Sequence, residues 1–295
     1  MKRYWWLFGL ILLALIAAFV FWPRKKIAQH AWFEQFDSYP LVISHADDTG
    51  QGLWPGNTLT FLEGVAGLGV DALEMDAHMT ADGHVVLMHD DTVDRTTNGS
   101  GLVSDMTLEE FQALEVGGNW SPDEGATTPY QGQGLHPPSV EEVFQRFPDY
   151  PMIIEIKQES PSMAVPFCEL IRRYGMSEKV LVPSFSDQSI SEFRAACPEV
   201  ATAAGSDEVR NFVIASFIRA TNILKPAYQA FQVPEESGGI PVVIPSFVGA
   251  AHDHNLQVHI WTINAEEDMR RFLDMGVDGI MTDRPDLLLD ILGRS

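Results

Sequence analysis

Four short apolar runs in this 295-residue chain end in, or carry, groups able to handle a metal ion or a proton. Leu41–Ser44 gives way to His45, with Asp47 and Asp48 close behind. Ala72–Met79 carries Glu74 and Asp76 two residues apart, so both side chains leave the same face of an extended strand. Val85–His89 ends in His89-Asp90, and Met152–Lys157 carries Glu155 and Lys157, again two apart. Later runs add Trp261 with Asn264, and Thr282-Asp283. Three carboxylates facing one another in a dry interior repel and are costly to bury uncompensated. A divalent cation removes that cost, and oxygen-only ligation suits Mg2+ or Ca2+ better than Zn2+. Two histidines beside such an ion can act as general base and general acid, while Lys157 holds an anionic oxygen. That set suits cleavage of a phosphodiester.

Each residue alone has a plainer reading. Glu74 and Asp76 would form a solvated face if Leu73 and Met75 were the buried one. His45 or His89 alone would be structural, Glu155 and Lys157 a simple ion pair, and Trp261 a core residue. The other histidines (His78, His84, His136, His252, His254 and His259) are assigned to surface or packing. The case for chemistry rests on four strand ends carrying usable groups together.

Such groups need elements to position them. Strand-like segments fall at Leu41–Ser44, Ala72–Met79, Val85–His89, Met152–Lys157, Val180–Pro183, Ala227–Val233, Val258–Ile263 and Gly279–Thr282, with a weaker one near Val200–Ala204. Their β-branched content and scant alternation suit strands buried on both faces. Helical stretches fall between most of them. Asn57 can cap the first, and Thr107-x-x-Glu110 and Ser139-x-x-Glu142 are capping-box patterns opening two others. Alternation over about 255 residues favours an α/β fold, best a (β/α)8 barrel, whose active groups sit at the C-terminal ends of the strands. A doubly wound open sheet is the rival, weakened because no G-x-G-x-x-G follows the first strand. The Thr80-Ala81-Asp82-Gly83 turn makes Ala72–His89 a hairpin. Residues 115–139, rich in Gly, Pro, Ser and Thr, read as a loop or insertion over one barrel mouth.

The charge is uneven. The net formal charge is −22, yet residues 1–26 hold five of the 19 basic residues and no acidic one. The body is left with 14 basic against 41 acidic residues, a net of −27, which repels nucleic acid and anionic lipid surfaces. Residues 4–22 form an uncharged apolar run of about 28 Å if helical, bounded by Trp5, Trp6 and Trp22 and stopped by Pro23 and the Arg24-Lys25-Lys26 cluster. This predicts a single transmembrane helix, an uncleaved anchor at residues 1–26, with 27–40 a tether and 41–295 the barrel domain. A cleaved signal peptide is the rival, and no A-x-A site precedes the basic cluster. A short N-terminus inside and the body on the non-cytoplasmic side is the default orientation, although positive charge flanks both ends. Cys168 and Cys197 make neither a disulfide framework nor a metal spacing and read as buried small hydrophobes.

Over residues 41–290 the sequence resembles the glycerophosphodiester phosphodiesterase family. Glu74-Met75-Asp76, thirteen residues before His89-Asp90, is similar to the family's Glu-x-Asp and His-Asp pair. Thr80-Ala81-Asp82-Gly83, the Asp94–Gly101 stretch, Ile154-Glu155-Ile156-Lys157, Ser184-Phe185, Trp261–Asn264 and Gly276–Pro285 resemble its further motifs in order. The resemblance implies a TIM-type barrel and divalent-metal-dependent hydrolysis of small glycerophosphodiesters to sn-glycerol 3-phosphate and an alcohol. It implies Glu74, Asp76 and Glu155 as ligands of one Ca2+ or Mg2+, His45 and His89 as the acid/base pair, Lys157 as a phosphate contact, and Trp261 and Phe185 as pocket walls. Two motifs depart: His45-Ala46-Asp47 stands for His-Arg-Gly, and Pro55-Gly56-Asn57-Thr58 for Pro-Glu-Asn-Thr. An arginine and a glutamate are thus missing together, and Asp47 and Asp48 are expected near the metal. Two alternatives are a lysophospholipase D-type enzyme, favoured by an apolar, widened pocket mouth, and a non-catalytic binding barrel, opposed by retention of both histidines and all three carboxylates.

Overall fold

The computed structural model describes residues 24–294. Eight parallel strands form the barrel: β1 (Leu41–Ser44), β2 (Ala72–Met79), β4 (Met152–Ile156), β5 (Val180–Val182), β6 (Ala201–Thr202), β7 (Ala230–Pro234), β10 (Gln257–Trp261) and β11 (Gly279–Thr282). They pair in the order β6-β5-β4-β2-β1-β11-β10-β7. A parallel bridge from Ala203 to Ala230 closes the ring between β6 and β7. The expected hairpin is present, with β3 (Val85–Leu87) antiparallel to the end of β2. One unexpected hairpin follows β7: β8 (Glu236–Ser237) and β9 (Ile240–Pro241) turn at Gly238 and Gly239, both with positive φ.

The helices are α1 (Ala31–Glu34), α2 (Leu59–Leu68), α3 (Leu108–Gln112), α4 (Val140–Arg146), α5 (Ala164–Arg173), α6 (Asp187–Ala196), α7 (Ser206–Phe217), α8 (Pro245–Asp253), α9 (Glu266–Met275) and α10 (Pro285–Leu292). Both predicted capping boxes form, at Thr107 and Ser139. Thr58, not Asn57, caps α2, because its hydroxyl accepts the Phe61 N–H. Residues 115–139 hold no helix or strand up to α4.

Strand alternation sorts the barrel into two cores. Val42, Leu73, Met75 and Ile154 point outward and pack under the helices. Leu41, Ile43, Ala72, Ile153, Leu181, Ala201, Ala230 and Met281 form a separate interior cluster, mostly from strand starts, together with Trp32 and Phe33. Residues 27–40, expected as a tether, therefore close the N-terminal end of the barrel. Trp32 is fully buried, and its indole N–H reaches the carbonyls of Met152 and Lys179 at 3.2 Å each. Removing a ring buried this completely costs about 3–5 kcal/mol. Upstream, Arg24 binds Thr221 Oγ1 (3.2 Å) and Asp253 (3.2 Å), and the Ile27 N–H donates to His254 O (2.8 Å). The apolar run at 4–22 lies outside the described residues, and among the described residues no helix is long and apolar enough to cross a membrane.

The cysteine reading is corrected by the packing of consecutive barrel helices. Cys168 on α5 and Cys197 just past α6 form a disulfide, with Cα atoms 5.5 Å apart. Twenty-nine residues separate them in sequence, and only the α5–α6 contact brings them together.

Candidate active site

Above the apolar interior layer, the same inward positions become polar. Two residues past Ile43 comes His45; two and four past Ala72 come Glu74 and Asp76; two and four past Ile153 come Glu155 and Lys157. The switch falls at the C-terminal ends of the strands, as barrel chemistry requires. His45, Glu74, Asp76, His89, Glu155, Lys157, Phe185 and Trp261 all line one cavity of about 1080 Å3. Sequence reasoning about a half-exposed β2 does not hold, since all eight of its residues are buried.

The three carboxylates are only partly compensated. Burial, reinforced by the charge of Asp76, pushes Glu74 up to about 8 despite His45 nearby and the Ala46 N–H donated at 2.8 Å. Burial likewise pushes Glu155 up to about 7, opposed by Lys157. The Lys157 ammonium lies 3.3 Å from Asp76 and 3.2 Å from Glu155. Burial disfavours its charge, but Asp76 and Glu155 override this and raise its pKa. Lys157 thus sits between two of the acids, so the three carboxylates do not close into one tight oxygen cluster. The one compact group of possible ligand atoms among the described residues is Cys168, Cys197 and Glu199, and its sulfurs are tied up in the disulfide. The donor set at the barrel mouth still fits a hard divalent cation: two buried carboxylates and the partly buried Glu155, oxygen only, with too little positive charge around them.

Both cavity histidines are held through Nδ1 by a carboxylate, which leaves Nε2 as the free ring nitrogen. His45 Nδ1 donates to Asp283 Oδ1 at 2.6 Å, and Asp283 is 5% exposed. Burial opposes a charged ring, but the bond to Asp283 and the charges of Glu74, Asp283 and Asp76 outweigh it and push His45 up to about 9. Asn264 orients Asp283 in turn, donating from Nδ2 at 2.6 Å and accepting the Asp283 N–H at 3.0 Å. His89 Nδ1 donates to Asp90 (2.8 Å), and Arg95 grips Asp90 through Nε (2.7 Å) and Nη2 (2.8 Å). The same guanidinium holds Asp48 in a bidentate pair at 2.6 and 2.8 Å. Arg95 keeps Asp90 down at about 2.

Asp47 and Asp48, expected near the metal, are both engaged elsewhere. Asp48 belongs to the Arg95 pair. Asp47 folds its own loop, accepting from the backbone N–H groups of Thr49 (2.9 Å), Gly50 (3.0 Å) and Gly52 (2.8 Å). The two motif departures have one structural reading. Gly56 N–H donates to Asp47 O at 2.7 Å, and a Cβ on Gly56 would collide with the Ala46 and Asp47 backbone. The rebuilt loop after β1 occupies the space a glutamate at 56 would need.

Asn57 is a site residue that sequence reasoning placed at a helix cap. Its backbone is left-handed (φ 56°), a conformation asparagine tolerates. Its side-chain amide donates to Asp76 Oδ2 (2.9 Å) while its carbonyl accepts the Asp76 N–H (2.9 Å). Asp283 and Asn264 were noted only as polar strand-end residues. The pattern N-T after Pro55-Gly56 and the T-D pair ending β11 were the available signals.

Comparison with known proteins agrees with this arrangement. The sequence profile of the Glycerophosphoryl diester phosphodiesterase family matches residues 50–287. A glycerophosphodiester phosphodiesterase of Caldanaerobacter subterraneus is 29% identical over 262 residues, covering 86% of this chain and 98% of that protein. Another, from Bacillus subtilis, is 28% identical over 269 residues and covers 84% of each. A crystal structure assigned to the glycerophosphoryl diester phosphodiesterases, from Silicibacter pomeroyi, superposes with a TM-score of 0.71 at 27% identity, covering 90% of this chain and 97% of that one. On the profile match, the ordered motifs and the barrel itself, this chain belongs to the glycerophosphoryl diester phosphodiesterase family.

Proposed function

We propose that the chain hydrolyses glycerophosphodiesters to sn-glycerol 3-phosphate and an alcohol, at the cavity where His45, His89, Lys157 and three carboxylates converge. The observation carrying this reading is that both histidines share one cavity and each is fixed through Nδ1 by its own carboxylate. A binding barrel has no use for two oriented proton carriers. Glu74, Asp76 and Glu155 would hold one Ca2+ or Mg2+. The ion supplies positive charge against the phosphoryl oxygens and the buried acids.

The protein's own groups do the rest. Lys157 holds a phosphoryl oxygen. The Nε2 atoms of His45 and His89 face the reacting phosphorus, where water attacks and the bond from phosphorus to the alcohol oxygen breaks. One histidine takes the proton from the attacking water and the other protonates the leaving oxygen, so each turnover leaves the pair with the proton count it started with. Phe185 and Trp261 meet edge to face, with centroids 5.6 Å apart, and line the substrate pocket; Lys157 lies 5.8 Å from the Phe185 centroid.

The membrane reading is part of the same proposal: a single N-terminal anchor at residues 1–26 with the barrel on the non-cytoplasmic side. Its support is the apolar run at 4–22 together with the Cys168–Cys197 disulfide, since such bonds persist in oxidising compartments. The test of function is release of glycerol 3-phosphate from glycerophosphocholine by chelator-treated protein, with and without added Ca2+ or Mg2+.

A further inference from the structure

Large apolar side chains are gathered on one side of the barrel. Of the nine left exposed among the described residues, five belong to this side: Ile214 (56% exposed), Phe217 (52%), Ile218 (68%), Ile223 (61%) and Ile240 (57%). Ile214, Phe217 and Ile218 are three and four residues apart on α7, which puts them on one helix face. Ile240, on the β8–β9 hairpin, lines the cavity mouth together with Ile214 and Phe217. Ile223 ends the 3-10 turn Thr221–Ile223, which packs against α7. The strip thus runs from the cavity mouth down the side of the barrel. A continuous apolar surface of this kind marks an interaction site.

The charge of the same segment is the reverse of the body's. Residues 209–234 are the longest stretch of the body without an Asp or Glu, and they carry Arg210, Arg219 and Lys225. Arg219 and Lys225 are exposed and make no ion pair among the described residues. Exposed hydrocarbon flanked by long cations suits the head-group region of a bilayer. There the apolar groups reach the acyl boundary and the cations stay at the phosphates.

The route of the chain names the occupant. The apolar run at 4–22 ends two residues before Arg24. Arg24 is fastened to the body at the lower end of the strip, donating from Nε to Thr221 Oγ1 and pairing through Nη1 with Asp253, each at 3.2 Å. Two residues span at most about 7 Å. A bilayer entered by that run therefore starts beside Thr221 and Ile223, and the body hangs on no long flexible tether.

We infer that the exposed face of α7, the Thr221–Ile223 turn and the tip of the β8–β9 hairpin dock on the phospholipid bilayer that the N-terminal run enters. The barrel then lies on its side, with one rim of the cavity at the head groups. The inference rests on the anchor reading of residues 1–26 and is independent of the hydrolysis, which glycerol 3-phosphate release tests separately.

The test uses the full chain reconstituted in phosphatidylcholine vesicles. Both native cysteines are in the disulfide, so one introduced cysteine takes a nitrobenzoxadiazole fluorophore. Ile218→Cys and Ile240→Cys probe the strip. Glu109→Cys, exposed on α3 beyond the β2–β3 hairpin, probes the opposite side, since β2 lies across the ring from β7. Replacing part of the lipid by nitroxide-tailed phosphatidylcholine should quench the first two labels and spare the third. The Ile240 label decides, because Ile240 is at the barrel mouth whereas Arg24 is at the closed end. Ile214→Asp with Ile218→Asp, both at exposed positions where folding is not at stake, should restore most of the lost Ile240-label fluorescence. Vesicle flotation after a high-salt wash reports the anchor by itself. Floating protein whose Ile240 label is quenched no more than the Glu109 label, or equally with and without the two aspartates, overturns the docking and keeps the anchor. Protein that does not float overturns both.

Discussion

His45 Nδ1, at the end of β1, lies 2.6 Å from the buried carboxylate of Asp283, at the end of the neighbouring β11. The pairing fixes which ring nitrogen faces the cavity. Asp283→Asn keeps the shape and removes the charge that holds the ring in this tautomer. We expect kcat to fall by roughly 10²-fold or more with little change in KM. The His45 ring, titrated by NMR in the metal-free protein, should move down from about 9. An unchanged kcat would show that Asp283 does not position His45 for proton transfer.

Asn57 clamps Asp76 at both its carboxylate and its backbone. Asn57→Ala frees an acid that must keep one orientation to bind a cation. Calorimetric titration should show Ca2+ or Mg2+ affinity reduced by about 10–100-fold. Circular dichroism should show an intact barrel, because Thr58 rather than Asn57 caps α2.

The disulfide joins α5 to the end of α6 and closes a loop across a sequence separation of 29 residues. The chain-entropy relation gives about 3–4 kcal/mol for a loop of this length. Cys168→Ser should lower the urea midpoint accordingly, and dithiothreitol should shift the wild type to the same midpoint. Equal stability with and without reductant would remove the bond from the account, and with it the support it gives to an oxidising compartment.

His259 sets a pH dependence separate from the active site. Its ring is fully buried near Trp32 and Phe33, and burial drives its pKa down to about 4, weakly opposed by Asp278. The unfolded chain takes up this proton below about 6.5, whereas the folded chain does so only near 4. Stability is therefore full above 6.5 and is lost as pH falls through the window to 4, by about 3 kcal/mol from this group. His259→Gln should remove that slope from urea melts taken at several pH values. A slope as steep as the wild type's would assign the acid sensitivity elsewhere.

The barrel and its chemistry were legible because both are written in local spacing. Glu74-x-Asp76 and Glu155-x-Lys157 each put two groups on one strand face, and the strands appear as β-branched runs within a few residues of their bounds. What stayed hidden acts across long separations. Asp283 lies 238 residues from His45, and Arg95 reaches back 47 residues to Asp48, so no window on the sequence holds either pair. The disulfide is hidden for the same reason. The four-residue helix α1 is too short for a periodic signal, and a buried Trp32 cannot be told from an exposed one by type. The β8–β9 turn rests on Ser237-Gly238-Gly239-Ile240 alone, with strands of two residues on either side.

The most direct test of the central claim is glycerol 3-phosphate release from glycerophosphocholine by the full chain, stripped of metal and then given Ca2+ or Mg2+. The account predicts release only after metal is restored, and none from His45→Ala, His89→Ala or Asp76→Ala proteins that remain folded. Turnover at the wild-type rate by a folded Asp76→Ala protein, or by the stripped enzyme without metal, would contradict it.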